Sequence, residues 1–244
     1  AIWLAKIAER GMCRPSLVQP QPIRQLRNLT RYRRALIQDR TREMQRMEKL
    51  LEDAQIKLSS FISDIFGVSG RQMLEALIGG QRDPKVLAQL AKGRMRAKLD
   101  DLQEALRGFF TDHHAVLARM MLDNIDRLTA QIAALDLQAE RAIAPFACQA
   151  EQLDEITGVG PTAAQELIAE IGIDMSRFPS AAHLVSYAKF CPQAHESAGK
   201  SKPRGRGKGN RWLAATLGNI VASGGRTDTF LGDRYRRIAR RRGK

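Results

Sequence analysis

The sequence predicts a mainly α protein, with long coiled-coil helices followed by a smaller helical domain. Three observations carry that fold class. Apolar residues recur at three- and four-residue steps over several heptads, first across 37–68 and again across 118–142. Gly67, Gly70, Gly79, Gly80 and Pro84 punctuate the middle, where only short helices fit. A glycine-bearing turn, Gly158-Val159-Gly160, separates two short helical stretches at 152–157 and 161–171.

The totals narrow the partner before any motif is weighed. The 244 residues suffice for one or two domains, and 40 Lys+Arg against 26 Asp+Glu leave a formal net charge of +14. Such a surplus suits a polyanion, nucleic acid first and an anionic membrane surface second. There is no apolar run of about 18 residues and no signal-peptide pattern, so a membrane-spanning segment is not expected. Aromatic residues make up only 5%, which argues against a base-stacking single-strand binder. Cys13, Cys148 and Cys191 match no zinc spacing, and an odd number disfavours a disulfide framework. Reduced thiols and a cytoplasmic setting are expected.

In chain order, Ile2–Ala8 reads as an amphipathic helix entered midway, with no capping residue before it and Gly11 as its stop. Residue 1 is therefore not expected to be the natural beginning. Pro15 to Pro22 form a connector that cannot be helical throughout. From Ile23 a helical pattern runs to about Ile65. Ile37, Met44, Leu51, Leu58 and Ile65 fall seven apart, and Met47, Ala54, Phe61 and Val68 fill the position three later. The first half is rich in arginine (Arg24, Arg27, Arg31, Arg33, Arg34, Arg40, Arg42) and nearly free of acids before Asp39. A solvated face and a nucleic-acid contact both account for it.

Short helices are expected near 71–78 and 84–90, the latter opened by Asp83-Pro84, with Gly93 ending a helix. A second seam sets Ala118, Ile125, Ile132 and Ala139 against Met121, Leu128, Leu135 and Ala142, and Pro145 closes it. The two seams can pair as an antiparallel hairpin within the chain or assemble between chains. His113-His114 has no carboxylate or cysteine at a useful helical spacing, and Asp100-Asp101 and Asp123/Asp126 read as surface charge, so no metal ligands are assigned.

Chemistry concentrates between Leu153 and Trp212. Gly158 permits a tight turn with positive φ, Gly160 lets another backbone come close, and Pro161 suits a first helical turn. The remaining amides at that helix start, with Thr162, can face an anion. With the flanking Leu153, Ile156, Val159, Leu167 and Ile168, this stretch resembles the helix-hairpin-helix motif, which grips a DNA backbone without reading bases. Phe178 to Ala188 reads as a helix with Ser180 at its N-cap. Beyond Cys191-Pro192 regular structure is expected to stop. There Ser197 sits between Glu196 and Ala198-Gly199-Lys200. On the residues alone it reads as a plain loop serine; a nucleophile would need a base or nearby cations, for which His195, Glu196 and Lys200 are close in sequence. Lys200, Lys202, Arg204, Arg206, Lys208 and Arg211 form a strip of six cations without an acid. Were all six on phosphates, the log–log salt slope would approach roughly −5. Arg234 to Lys244 reads as a disordered basic tail.

These strings together, Thr157–Ala164, Arg177-Phe178-Pro179-Ser180-Ala181, His195 to Lys200, and Lys208 to Leu213, resemble the C-terminal domain of bacterial insertion-sequence transposases of the one-hundred-and-ten family. These are the DEDD transposases guided by a bridge RNA. The likeness is strongest over 153–213 and extends upstream through the arginine-rich heptads. It implies that 1–22 are the end of an RuvC-like domain plus linker, that 23–150 are a coiled-coil region with inserted short helices, and that 151–244 are the transposase domain. That last part would hold the helix-hairpin-helix, the nucleophile loop and the basic tail. It implies that Ser197 is the catalytic nucleophile, forming a covalent protein–DNA link that conserves bond energy for rejoining. It implies Mg²⁺ held by four carboxylates of the RuvC-like domain. The last of these belongs to an Asp-Ala pair whose Ala matches Ala1, so none is bound by this chain and the chain is not expected to be active alone. DNA, a guide RNA and a second copy joined through the coiled coils are the implied partners. Two further classes stay open: a non-catalytic nucleic-acid-binding remnant or scaffold, and a coiled-coil interaction protein whose basic charge is incidental.

Overall fold

Helices dominate the computed structural model, which describes residues 2–12, 18–191, 195–197, 199–202 and 209–243; at 195–197, 200–202 and Arg242 only the backbone is described. Eleven α-helices, four short 3₁₀ segments and one two-stranded hairpin account for the regular structure among these residues. The mainly α expectation holds. By contacts the chain divides into two compact units, 1–31 with 137–244, and 32–136.

The 32–136 unit is built on the later part of α2 (Gln21–Asp53) and most of α6 (Asp112–Ile143). They run antiparallel in a constant register. Arg33 pairs with Asp136, and seven residues further on Arg40 donates to Thr129 at 3.4 Å, seven residues back. Leu36 packs with Leu128 and Ile132, and Met47 shares a core with Ala118 and Leu122. The two apolar seams therefore meet within the chain. Apolar side chains on one stripe of each helix leave water by facing each other, which is why the three–four periodicity was visible.

The first seam ends earlier than its periodicity suggests. The helix stops at Asp53, and Leu58, Ile65 and Val68, expected on the same helix, lie beyond it. Gln55 takes φ +59°. The Ile56 amide bonds back to the Leu51 carbonyl and the Gln55 amide to the Glu52 carbonyl, a Schellman closure without glycine. Tertiary contacts reward the break. Ile56, Leu58, Ile62 and Ile65 are buried in the core of the insert. The Lys57 amide bonds to the Ala105 carbonyl and the Phe109 amide to the Ala54 carbonyl, tying the insert shut at its base.

Within the insert, α3 (Val68–Ile78) and α4 (Pro84–Gln89) stand where short helices were expected, and the Asp83 carboxylate caps α4 through the Lys85 amide at 2.9 Å. Gly93 does not end a helix; with φ +56° it opens a 3₁₀ stretch, 93–98, leading to α5 (Leu99–Ala105). The acidic pair on α6 is engaged. Asp126 takes both guanidinium nitrogens of Arg71 at 2.7 and 2.8 Å, Arg71 and Arg119 share Glu75, and Asp123 lies 3.9 Å from Arg119. His114 is buried: its Nδ1 accepts from the Thr111 amide at 3.1 Å, leaving Nε2 to donate to Asp53 at 3.2 Å.

The other unit begins with α1 (Ile2–Glu9) and the start of α2. Pro145 lies in a one-turn 3₁₀ segment just past α6, after which α7 (Ala147–Asp154) and α8 (Pro161–Ile171) flank the glycine turn. Leu26, Ala139, Ile168 and Ala169 form one small core. Cys148 and Cys191 are free and exposed, and Cys13 lies outside the described residues. No described helix is long and apolar enough to cross a membrane.

Candidate nucleic-acid interface

The glycine turn divides its tasks differently from the sequence expectation. Gly158 has φ +91°, and a Cβ there would stand 2.6 Å from the Ile220 carbonyl oxygen and 2.8 Å from the Gly224 amide nitrogen. Positive φ and close backbone approach thus both fall on Gly158, against the helix that follows the basic strip, α10 (Arg211–Gly224). Gly160, expected to admit another backbone, has open space where a Cβ would be and is the N-cap of α8 at φ −107° and ψ 177°. Its carbonyl accepts from the Ala164 amide at 2.9 Å. The amides of Thr162 and Ala163 precede that bond and have no carbonyl one turn back. Thr162 is exposed beside them.

Val159 at the tip is buried in one cluster with Ala164, Leu167, Ala188 and Leu213. Ala188 follows α9 (Ala181–Tyr187), and Leu213 lies in the first turn of α10. A Cβ on Gly209 would come within 2.5 Å of Lys189 Cγ. Lys189 and Gly209 therefore lie side by side although they are 20 positions apart in sequence. Everything expected of the nucleophile loop and the basic strip, Arg211 excepted, lies on the excursion between those two points. Its departure is another Schellman closure without glycine. Lys189 has φ +59°, its amide bonds to the Ser186 carbonyl, and the Phe190 amide bonds to the Val185 carbonyl.

On the excursion, β1 (His195–Ser197) and β2 (Lys200–Lys202) pair antiparallel. The expected irregular loop is a β-hairpin, with Gly199 at φ +72° in its two-residue connection. Register sets Ser197 opposite Lys200, Glu196 opposite Ser201 and His195 opposite Lys202. Arg204, Arg206 and Lys208 lie outside the described residues. Arg211 begins α10, with its guanidinium 4.7 Å from the centroid of the Trp212 ring. The candidate residues thus form two local groups, Gly158–Gly160–Thr162 at the turn and Ser197–Lys200–Lys202 in the hairpin.

A buried polar network at the return point was not anticipated. Glu170 of α8 is 2% exposed. It accepts both Arg31 nitrogens at 2.7 and 2.8 Å and the Asn210 side-chain amide at 2.5 Å. Asn210 is the N-cap of α10, its carbonyl oxygen accepting from the Trp212 and Leu213 amides at 3.0 and 3.3 Å. Arg27 donates to the Ala169 carbonyl at 2.8 Å. Hydrogen bonding to Glu170 raises the pKa of Arg31 above its ordinary value, against the opposing effect of burial. Two of the α2 arginines are therefore engaged in holding the fold. One turn earlier, Glu166 accepts from the buried Thr216 hydroxyl at 2.5 Å. The sequence signal for this network was the pair of acids four apart on a mostly apolar helix, Pro161–Ile171.

Two further expectations change. Ser180 occupies the N-cap of α9, yet its hydroxyl bonds His183 Nδ1 at 2.8 Å instead of a helix amide. The basic end is not a disordered tail: residues Phe230–Arg242 form α11, capped by the Thr229 hydroxyl. Asp233 and Asp228 both pair with Arg236, which also reaches the Thr227 carbonyl at 3.0 Å. Among the described residues no three His, Cys, Asp or Glu side chains converge as a metal would require.

Comparison with protein families agrees with this arrangement at both ends of the chain. Residues 150–236, spanning the glycine turn, the hairpin and α10, match the model described as the Transposase IS116/IS110/IS902 family. Residues 1–56 match a second model, the DEDD transposase of IS110. No curated protein is a significant match to the chain. The two family matches concern the same group and jointly cover more than half of the 244 residues. The chain belongs to the IS110/IS116/IS902 transposase family.

Proposed function

We propose that this chain is the recombination-bearing part of a DNA transposase, a site-specific recombinase acting in the cytoplasm. It binds DNA and a guide RNA, pairs with a second copy through its long helices, and uses Ser197 to cleave and transfer strands. What carries the reading is the excursion between Lys189 and Gly209. It sets Ser197 opposite Lys200 in a hairpin, and its two ends meet beside the glycine turn. The amides of Thr162 and Ala163 hold a backbone phosphate at the start of α8. Lys200, Lys202, Arg204, Arg206, Lys208 and Arg211 hold the strand by charge without reading sequence.

In the reaction the serine oxygen bonds to phosphorus and loses its proton to a base. One ester oxygen leaves phosphorus and takes up a proton. The phosphodiester energy is kept in the serine ester, and reversal onto another strand restores DNA. Mg²⁺, supplied with the carboxylates of an RuvC-like domain, would add Lewis-acid stabilisation.

The test uses this chain together with that domain. A protein–DNA adduct that survives denaturation is expected for the unaltered protein and for Ser201→Ala, and lost in Ser197→Ala. Full strand transfer by Ser197→Ala would refute the assignment. A second reading, a non-catalytic nucleic-acid-binding remnant, is favoured by the lack of a convergent carboxylate site among the described residues. It predicts salt-sensitive binding and no adduct under any complementation.

A further inference from the structure

The last helix carries positive charge that is mostly unpaired among the described residues. Helix α11, Phe230–Arg242, contains one acid, Asp233, and six arginines. Asp233 is taken by Arg236, which also meets Asp228 and the Thr227 carbonyl and so belongs to the corner before the helix. Arg234, Arg237, Arg240 and Arg241 are exposed and have no ion pair among the described residues. Arg234, Arg237 and Arg241 recur at three- and four-residue steps and so share one face. Phe230, 74% exposed, begins the same face one turn earlier.

That face is held on a rigid corner. A Cβ on Gly232 would lie 2.0 Å from the Thr227 carbonyl oxygen and 3.2 Å from that of Gly224, and one on Gly225 would lie 2.8 Å from the Tyr235 ring. Gly224 is also the residue that Gly158 packs against. The glycine turn thus meets the end of α10 backbone to backbone, and the start of α11 meets the Gly224 and Thr227 carbonyls in the same way.

We infer that α11 is a second phosphate-gripping element, its Arg234–Arg237–Arg241 face binding the backbone of duplex DNA on the body that carries the Gly158–Gly160 turn. The inference rests on the nucleic-acid reading of that turn and is independent of Ser197. Arg234 to Arg241 spans about 10 Å of helix axis. Duplex DNA offers a phosphate every ~1.7 Å of its own axis, so each guanidinium finds a separate one. The cations are all arginine, whose planar fork takes two phosphate oxygens at once. A lipid surface presents the same charge and would also meet the exposed Leu231 and Ile238, so vesicles form one arm of the test; what favours DNA is that the arginine face lies on the body carrying the Gly158–Gly160 turn.

The test measures binding of the 244-residue chain to a duplex of arbitrary sequence between ~50 and ~200 mM salt. The variant combines Arg234→Gln, Arg237→Gln and Arg241→Gln. A control with the same charge change combines Lys49→Gln, Lys85→Gln and Arg94→Gln, exposed residues of the other unit. The α11 variant is expected to weaken binding tenfold or more and to flatten the log–log salt slope by nearly 3, about 0.9 per lost contact. The control is expected to change the slope by less than about 1. Equal slopes for variant and control overturn the inference, as does absence of duplex binding by the unaltered chain. Loss confined to single-stranded RNA, or to phosphatidylserine vesicles, overturns it as well. Because no cleavage is read, a failed serine assignment leaves this result standing.

Discussion

Replacing Arg31 by methionine isolates the network that fixes the start of α10. The change strips Glu170, 2% exposed, of two hydrogen bonds at 2.7 and 2.8 Å and of its nearest cation. Breaking a buried ion pair from one side costs about 3–5 kcal/mol, because the remaining charge stays buried. The low end applies. Arg27 Nε remains 3.9 Å from Glu170, Asn210 still donates, and Arg31 itself is 36% exposed. About 3 kcal/mol corresponds to a fall in Tm of roughly 6–12 °C for a unit in this size range. Urea denaturation followed by circular dichroism should show a lower midpoint at unchanged slope, in the transition of the unit that holds α8. Glu170→Met should be milder, about 1–2 kcal/mol, since the freed guanidinium can turn to water and the main loss is a partner for Asn210. The asymmetry is the essential test. Should Arg31→Met fall within ~0.5 kcal/mol of wild type, or prove milder than Glu170→Met, the network is not holding α10 by a buried charge.

Three further outcomes follow from the same geometry. Gly158→Ala should destabilise by about 3 kcal/mol, from a left-handed backbone and a Cβ 2.6 Å from the Ile220 carbonyl. Gly160→Ala should lose only the ~0.5–1 kcal/mol of a poorer N-cap; equal melting temperatures for the two variants would refute the division of tasks between these glycines. Gln55→Gly and Lys189→Gly should each raise stability by about 0.5–1 kcal/mol, because both positions hold φ +59°, and a drop in Tm for either counts against the closures described. Hydrogen bonds from Arg119, then Arg71, lower the pKa of Glu75, and a hydrogen bond from Arg71 lowers that of Asp126. Depressed folded values mean stability that is full above the unfolded carboxylate range of about 4 and is lost as pH falls through the folded values. The melting difference between wild type and Glu75→Gln should therefore be constant from neutrality to about pH 5 and shrink below ~4; a difference that grows on acidification contradicts the pairing.

Periodicity revealed the two long helices because each buries one stripe, and a stripe is a pattern in sequence. Pro145, Asp83-Pro84 and Gly160-Pro161 marked helix limits for local reasons that any neighbour would leave intact. The early end of α2 was hidden. Its left-handed residue is Gln55, with no glycine to announce it, and the break is stabilised by Ile56, Leu58 and Ile62 finding a core made by residues distant in sequence. Lys189 hid the departure of the excursion in the same way. The hairpin around Ser197 is too short for alternation to be read, and α11 was mistaken for a tail because its charge resembles disorder until a capped corner holds it. For the candidate site, residue types and their order drew attention to the glycine turn and the cations, while Ser197 came forward only through the family resemblance. That Gly158 meets Gly224, that Lys189 meets Gly209, and that Glu170 holds Asn210 depend on backbone closeness and buried charge pairing between distant segments. One-dimensional spacing does not encode those contacts; they exist only once α8 and α10 have packed.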